Sequence, residues 1–249
     1  MEWYQDPTIQ RRGVVLGTIL SSIAAQAYLH HRLKDSLDKT PNLPTKKIPE
    51  LYKSVGIDPK FPTVPIDKLD NAYYASPFDS KFMGKDVKSK FTPAILKKVK
   101  QLGHIGYDPK FNKAGILAHE AGHAAIRTTK PWYNPSRFNQ SVLRQISNLT
   151  TPFAGSVGTI VGAGTESPLY GALAGLGSAA LLGAPTLINE SQATGYAKDY
   201  LNKSHHKSET KDKNLKALSN AYDTYAIGTL LLPTLLGGAS GLWAATHKD

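Results

Sequence analysis

The sequence predicts a mainly α-helical, membrane-anchored chain in which three to four apolar helices accompany a small polar domain. Apolar runs almost free of charge alternate with long charged stretches, as in membrane helices joined by polar regions. Glycine and alanine are frequent in the apolar runs, and small residues allow helices to pack closely in lipid. The 249 residues leave room for several spans and one small domain.

Three apolar segments set the expected boundaries. Residues 13–29 are uncharged over seventeen positions, which is the lower limit for a spanning helix. Residues 153–188 predict a tight hairpin with its turn near residues 165–168, and residues 224–246 carry no charge. The alternatives are a soluble core helix for the first segment and a Gly/Ala-rich soluble core or a flexible loop for the second. The expected organisation is a leader (1–12), a transmembrane helix (13–29), a polar domain (30–152), an apolar hairpin (153–188), a second polar helix or loop (189–222) and a transmembrane helix (223–246).

Local signals place short elements in the first polar region. We expect a short helix at residues 48–55 and short strands around residues 72–75. Residues 91–103 begin with Thr-Pro, space their apolar side chains at helical intervals and end with glycine, which predicts an amphipathic helix. A further helix is expected at residues 113–128.

The amino-acid composition limits which residues could bind a metal and which partners are expected. The chain contains no cysteine, so any metal ligands must be His, Asp or Glu. The formal net charge is +11, but the lysines are not interleaved with stacking aromatics, and nucleic acid is an unlikely partner. Of the 30 Lys and Arg residues, 21 lie between residues 30 and 152. The positive-inside tendency then predicts that the polar regions are cytoplasmic and that both termini lie outside.

The predicted helix at residues 113–128 carries two histidines four residues apart with a glutamate between them. Because residues i and i+4 share one helix face, His119 and His123 can both reach one tetrahedral Zn²⁺ at about 2.0–2.1 Å. Glu120 points about 100° round the helix, where it can serve as a general base without binding the metal. The surrounding residues are small or apolar, so the helix is expected to be buried. A chance occurrence on a solvated helix surface is the alternative.

A catalytic zinc usually has a third protein ligand. Glu190 is the strongest choice, because it directly follows the apolar hairpin that comes after the metal-motif helix. An antiparallel pair of helices would bring it beside both histidines. The alternative role for Glu190 is a charge at a helix N-terminus that interacts with the helix dipole. His104 is the second choice as a ligand, and the other histidines are His30, His31, His205, His206 and His247.

The order of these motifs resembles the YugP-type family of zinc-dependent membrane metallopeptidases. The resemblance rests on residues 4–7 (YQDP), residues 119–124 (HEAGHA), the apolar hairpin and the sequence that begins at Glu190. It implies a gluzincin-like site in which His119, His123 and Glu190 bind zinc. A Lys-rich stretch at residues 79–100 is an addition to that pattern.

The expected activity is therefore hydrolysis of peptide bonds by water that zinc activates, with Glu120 as the base. The substrate would be a protein or peptide near the bilayer, and membrane lipid would be a further partner. Tyr107 and Tyr196 are among the groups that could stabilise the oxyanion. The alternative function is a catalytically silent scaffolding membrane protein that retains a peptidase-like fold.

Overall fold

A computed structural model describes residues 17, 20, 24, 27–67, 69, 71–130, 144–204 and 208–245. The chain divides into two compact units. The polar unit comprises residues 33–142 and 188–222, and the apolar unit comprises residues 1–32, 143–187 and 223–249. Most of the first expected apolar segment, residues 13–29, lies outside the described residues.

The polar unit places its short elements before the helix that carries the metal motif. Helix α1 covers residues 27–38 and ends in this unit. The elements that follow are α2 (Ile48–Val55), β1 (Thr63–Pro65), β2 (Ala72–Ala75), α3 (Lys85–Lys88), α4 (Pro93–Leu102), β3 (His104–Tyr107) and α5 (Ala114–Thr129). The expected helix at residues 48–55 and the strand at residues 72–75 are confirmed. The expected amphipathic helix is α4, which begins after Thr92, whose side chain accepts a hydrogen bond from the Ile95 N–H, and ends before Gly103.

Three short strands form one sheet in the order β1-β3-β2. Strand β1 is parallel to β3, whereas β2 is antiparallel to it, with Tyr74 opposite Ile105. Within the described part of the chain, β2 is therefore an outer strand of this sheet. Every residue of β3 is buried, so the sheet belongs to the core. The edge of the sheet that β2 forms faces α5.

Helix α5 is buried along most of its length because its side chains are small or apolar. Twelve of its sixteen residues are buried. They pack in a core with residues of α2, β3, α7 and α8, including Leu51, Tyr52, Ile105, Leu201 and Leu218. The first turn of α5 is capped from outside the helix, because the Asn214 Oδ1 accepts a hydrogen bond from the Gly115 N–H at 2.7 Å. Helix N-termini leave such N–H groups unpaired, and this contact satisfies one of them.

The last three helices are α6 (Arg144–Thr165), α7 (Pro168–Lys203) and α8 (Ser208–Ala245). In the apolar unit they meet through glycines. A Cβ built at Gly158 would lie 2.8 Å from the Gly175 Cα, and one built at Gly162 would collide with the Gly237 carbonyl oxygen. Side chains at these positions would separate the helix backbones, so glycine permits their close approach.

The expected hairpin is present, but its helices extend beyond the boundaries drawn from the sequence. The turn lies between Thr165 and Pro168, as predicted. The second arm continues through residue 188 to Lys203 as one helix, and the next helix begins at Ser208. The second polar region, residues 189–222, is therefore formed mainly by the ends of two long helices. The hydropathy of the sequence changes at residue 188, where polar and charged residues begin. The helix does not end there, so the boundary predicted from hydropathy differs from the end of the helix.

Two helices, α7 and α8, are each long and apolar enough to cross a membrane. Large apolar side chains are exposed along the apolar unit, most of all Leu181, which is 80% exposed. Exposed apolar surface on this scale indicates contact with lipid or with another protein. Among the described residues of this unit, the exposed ones are Leu20, Tyr28, Phe153, Val157, Ile160, Leu169, Tyr170, Leu173, Leu176, Leu181, Tyr225, Leu231 and Trp243.

Candidate metal centre

The two motif histidines lie on adjacent turns of α5 and face the same direction. Their ring centroids are 4.8 Å apart and the ring planes are nearly perpendicular. Both side chains are buried, with 8% of His119 and 1% of His123 exposed. Burial lowers the pKa of His123, while Glu190 opposes this effect. His123 is thus favoured in the neutral form, which is the form of histidine that binds metals.

Helix α7 brings Glu190 to both histidines. Its Oε2 lies 3.0 Å from the His119 Nε2 and 3.4 Å from the His123 Nε2. Glu190 is 1% exposed, and it lies 22 residues after Pro168, the first residue of α7. The alternative role at a helix N-terminus is therefore wrong for Glu190. The structure instead gives this carboxylate two imidazole neighbours.

The three side chains form a buried group that could hold a metal ion. One ligand atom from each residue lies within 4.8 Å of the others. Donor atoms bound to a tetrahedral zinc at 2.0–2.1 Å would be about 3.3 Å apart, which is close to the two distances from Glu190. A buried carboxylate also needs compensation for its lost hydration. The donor types, burial and spacing thus fit a divalent cation.

The approach of α7 to α5 depends on Gly122, which lies between the two histidines. A Cβ built at Gly122 would lie 2.8 Å from the Ala193 carbonyl oxygen and 3.0 Å from the Tyr196 Cβ. Because the first of these contacts is with backbone, it cannot be relieved by turning a side chain. The missing side chain at Gly122 allows the two helices to lie close enough for Glu190 to reach both rings.

Thr194 orients His119 and was not found from the sequence. Its hydroxyl lies 3.1 Å from the His119 Nδ1, on the opposite side of the ring from Glu190. If the Nδ1–H donates to Thr194, the lone pair of Nε2 is directed at the metal position, as metal-binding histidines require. Thr194 follows Glu190 by four residues, so both lie on one face of α7. The four-residue spacing from Glu190 was the signal in the sequence that could have identified Thr194. A hydroxyl at this position can take the place of an acidic side chain that binds a metal-binding histidine.

Glu120 lies beside the histidines and faces the sheet. Its Oε2 accepts a hydrogen bond from the Tyr74 N–H at 2.7 Å. The Tyr74 ring stacks on His123 at 6.5 Å between centroids, and the Tyr74 hydroxyl donates to the Leu102 carbonyl at 2.9 Å. Strand β2 therefore positions both the carboxylate and one imidazole, a role that the sequence did not reveal.

His104, the second choice as a ligand, lies in a different environment. Its Nδ1 is 3.0 Å from the Ser80 hydroxyl and its Nε2 is 3.2 Å from the Tyr73 hydroxyl. The side chain is 1% exposed, and burial lowers its pKa to about 4. Both ring nitrogens have hydroxyl neighbours, so His104 is a neutral histidine of the core.

The remaining histidines do not join the group within the described residues. His30 and His31 are exposed on α1. His205, His206 and His247 lie outside the described residues. In the part of the chain that the structure describes, the group of potential ligands consists of His119, His123 and Glu190.

Gly122→Ala should weaken metal binding because its methyl group would push α7 away from α5. We expect zinc affinity to fall by about tenfold or more, since coordination tolerates displacements of only about 0.5 Å. Affinity is measured by competition with a chromophoric chelator in detergent. Gly195→Ala is the control, because a Cβ there meets no atom within 4 Å. Equal affinities for the two variants would contradict the proposed role of Gly122.

Thr194→Val should lower zinc affinity about 10- to 100-fold, the range usual for partners of metal-binding histidines. The valine keeps the shape of the side chain but cannot accept the Nδ1–H bond. Thr194→Ser keeps the hydroxyl and should restore most of the affinity. Zinc titration of all three proteins measures the effect, and a serine variant as weak as the valine variant would exclude the hydroxyl as the cause.

His104 should make stability depend on pH in the metal-free protein. Its folded pKa of about 4 is below the ordinary 6.5, so the unfolded chain binds a proton that the folded chain does not. The stabilisation is complete above pH 6.5 and is lost as pH falls toward 4, by about 2 kcal/mol at pH 5. Thermal unfolding with chelator present should show a smaller decrease between pH 7 and pH 5 for His104→Gln than for wild type. Parallel decreases would refute this assignment.

Comparison with protein-family models, with curated proteins and with solved structures finds no match to this chain. The assignment of the metal group therefore depends on the chain's own geometry. That geometry consists of three buried donors from two helices, a threonine behind one imidazole and a second carboxylate, Glu120, which accepts a hydrogen bond from the adjacent strand.

Proposed function

We propose that this chain is a membrane-embedded zinc metallopeptidase that hydrolyses peptide bonds with Glu120 as the general base. The observation that carries the proposal is the convergence of His119, His123 and Glu190 within 4.8 Å, with Glu120 on the same helix. A purely structural cluster would not need a fourth ionisable side chain beside it. Two histidines and one glutamate are a common ligand set of catalytic zinc in peptidases.

In this proposal His119, His123 and Glu190 hold the zinc. When bound, zinc supplies a Lewis acid that lowers the pKa of a water molecule toward about 7 and polarises a peptide carbonyl. Thr194 keeps His119 in the tautomer that binds through Nε2. Burial of the three donors excludes competing water and strengthens their electrostatic interactions.

Glu120 performs the proton transfers. It is half-buried, and the Tyr74 N–H holds its Oε2 at 2.7 Å. This hydrogen bond fixes the carboxylate in one orientation while its second oxygen accepts a proton from water. Glu120 then gives the proton to the leaving amine, which completes the hydrolysis without another acid.

Strand β2 supports a peptide as the substrate. The Asp108 N–H donates to the Asn71 carbonyl, and pairing alternates along antiparallel strands. The N–H of Tyr74 therefore points away from β3, in agreement with its hydrogen bond to Glu120. An extended peptide beside this strand would lie next to Glu120, which already takes the Tyr74 N–H, and recognition through backbone groups does not require one sequence.

Of the two tyrosines considered as oxyanion donors, Tyr196 remains the better choice. Tyr107 belongs to the buried core of the polar unit and is 5% exposed. Tyr196 is half-buried and its Cβ lies close to Gly122, between the metal-binding histidines. We assign Tyr196 to the stabilisation of the oxyanion.

The proposal places the protein in a membrane as a multi-pass protein with its polar unit in the cytoplasm. Two helices of sufficient length and hydropathy support the membrane location. The exposed leucines of α7 support it further, because water disfavours such a surface. The concentration of Lys and Arg in the polar regions supports the cytoplasmic side. The substrate is then a protein or peptide at the bilayer surface.

Glu120→Gln is the central test, because it removes the base and leaves the three ligands in place. The variant purified in detergent should bind one zinc per chain, as wild type does. Its cleavage of an unstructured membrane-protein substrate should fall by about 10²- to 10⁴-fold. Metal content by mass spectrometry and fragment release on gels are the two measurements.

His123→Ala supplies the complementary control and should lose both zinc and cleavage. Wild type without stoichiometric zinc would refute the zinc site. Zinc in wild type combined with equal cleavage by Glu120→Gln would refute the role of Glu120. Zinc without cleavage by wild type across unstructured substrates would favour the scaffolding alternative.

A further inference from the structure

The loop after β2 exposes two aromatic side chains that neither the core nor the metal centre uses. Phe78 is 47% exposed and Phe82 is 75% exposed. Their rings contact each other edge to face, with centroids 5.4 Å apart. A pair of phenylalanines held together at the surface leaves a large apolar area in water, which usually marks a binding surface.

Three lysines lie in the same stretch of chain as this aromatic pair. The Lys81 Nζ lies 5.7 Å from the centre of the Phe78 ring, and Lys85 and Lys88 are exposed on α3. Two acidic residues lie in the same stretch. Asp79 accepts hydrogen bonds from the N–H and hydroxyl of Ser76, and Asp86 is exposed on α3. We call residues 78–88 the aromatic-lysine loop, and lysines outnumber acidic residues in it.

The aromatic-lysine loop is anchored to the core of the polar unit. The Ser80 hydroxyl, near the start of the loop, lies 3.0 Å from the His104 Nδ1 in the core. The loop follows β2, whose residue Tyr74 stacks on His123. His123 in turn lies 3.4 Å from Glu190, the third residue of the part of α7 that belongs to the polar unit. The loop is therefore linked through β2 to the group of His119, His123 and Glu190.

We propose that the aromatic-lysine loop is a docking surface for the anionic face of a phospholipid bilayer. Aromatic rings favour the interfacial region of a membrane, where Phe78 and Phe82 would leave water. The ammonium groups of Lys81, Lys85 and Lys88 would lie among anionic headgroups, which attract juxtamembrane basic residues. A bilayer is the favoured occupant because the same chain has two helices able to enter it. This inference rests on the proposed membrane location, and it would hold the metal centre close to substrates at the bilayer surface.

A single nitroxide label tests the docking directly. The chain has no cysteine, so Gly84→Cys provides the sole labelling site. A Cβ at Gly84 meets no atom within 4 Å, and both phenylalanines remain in place. The full-length protein is reconstituted in vesicles of phosphatidylcholine with or without phosphatidylglycerol. Electron paramagnetic resonance then compares collisions of the label with oxygen, which enters lipid, and with a nickel chelate, which stays in water.

We expect the oxygen-to-nickel collision ratio at position 84 to be severalfold higher than at Lys53→Cys, an exposed position on α2. The ratio should fall in 1 M salt, in vesicles without phosphatidylglycerol, and when Phe78→Ser and Phe82→Ser are added to Gly84→Cys. Equal ratios at positions 84 and 53 would overturn the proposal. Low collision rates with both reagents would also overturn it, because they would indicate a protein contact.

The outcome is independent of the peptidase proposal. The label reports depth in the bilayer whether or not zinc is bound or substrate is cleaved. A water-exposed label in a protein that binds zinc and cleaves peptides would refute only the docking surface. An immersed label in a protein without zinc would refute only the metal centre.

Discussion

The arrangement of the polar unit depends on the close contact of α5 and α7 at Gly122. Two imidazoles on one helix are an incomplete site, and the third donor must come from a helix more than sixty residues further along the chain. Because Gly122 has no side chain, the Ala193 backbone can approach α5 closely enough for Glu190 to reach both imidazoles. Burial of small residues on both helices stabilises the contact, since Ala121, Ala193 and Ala197 are each fully buried.

Local signals in the sequence predicted the parts of this structure that depend on neighbouring residues. The Thr-Pro start and glycine stop of α4, the short helix at Ile48–Val55 and the two histidines of α5 all follow from spacing within about ten residues. The prediction that the helix pair would bring Glu190 beside His119 and His123 used only the order of the elements. The structure places these three side chains together.

Two other contacts between distant segments were not predicted. Thr194 acts on His119 across 75 residues of sequence, and the Tyr74 N–H binds Glu120 across 46. Neither residue type is distinctive by itself. The continuation of α7 through Glu190 was also missed, because hydropathy changes at residue 188 while backbone hydrogen bonding does not.

His104, His119 and His123 are all buried in the polar unit, but their neighbours differ. His104 lies between two hydroxyls, which can form hydrogen bonds with both nitrogens of a neutral ring. His119 and His123 share a carboxylate instead, and a carboxylate between two imidazoles is better satisfied by a cation than by either ring alone. The same residue type therefore lies in the core in one place and in a group that could hold a metal ion in another, and burial alone does not distinguish the two.

The continuity of α7 has a consequence for where the metal group can lie. Glu190 follows the first residue of this helix by 22 positions, which corresponds to about 33 Å at the rise of an α-helix. The hydrocarbon layer of a bilayer is about 30 Å thick. In the proposed membrane location, a helix that starts at one boundary of that layer has its carboxylate just past the other boundary. Inserting one residue between these points would turn the carboxylate by about 100°, so the length of this helix sets the direction in which Glu190 faces the two histidines.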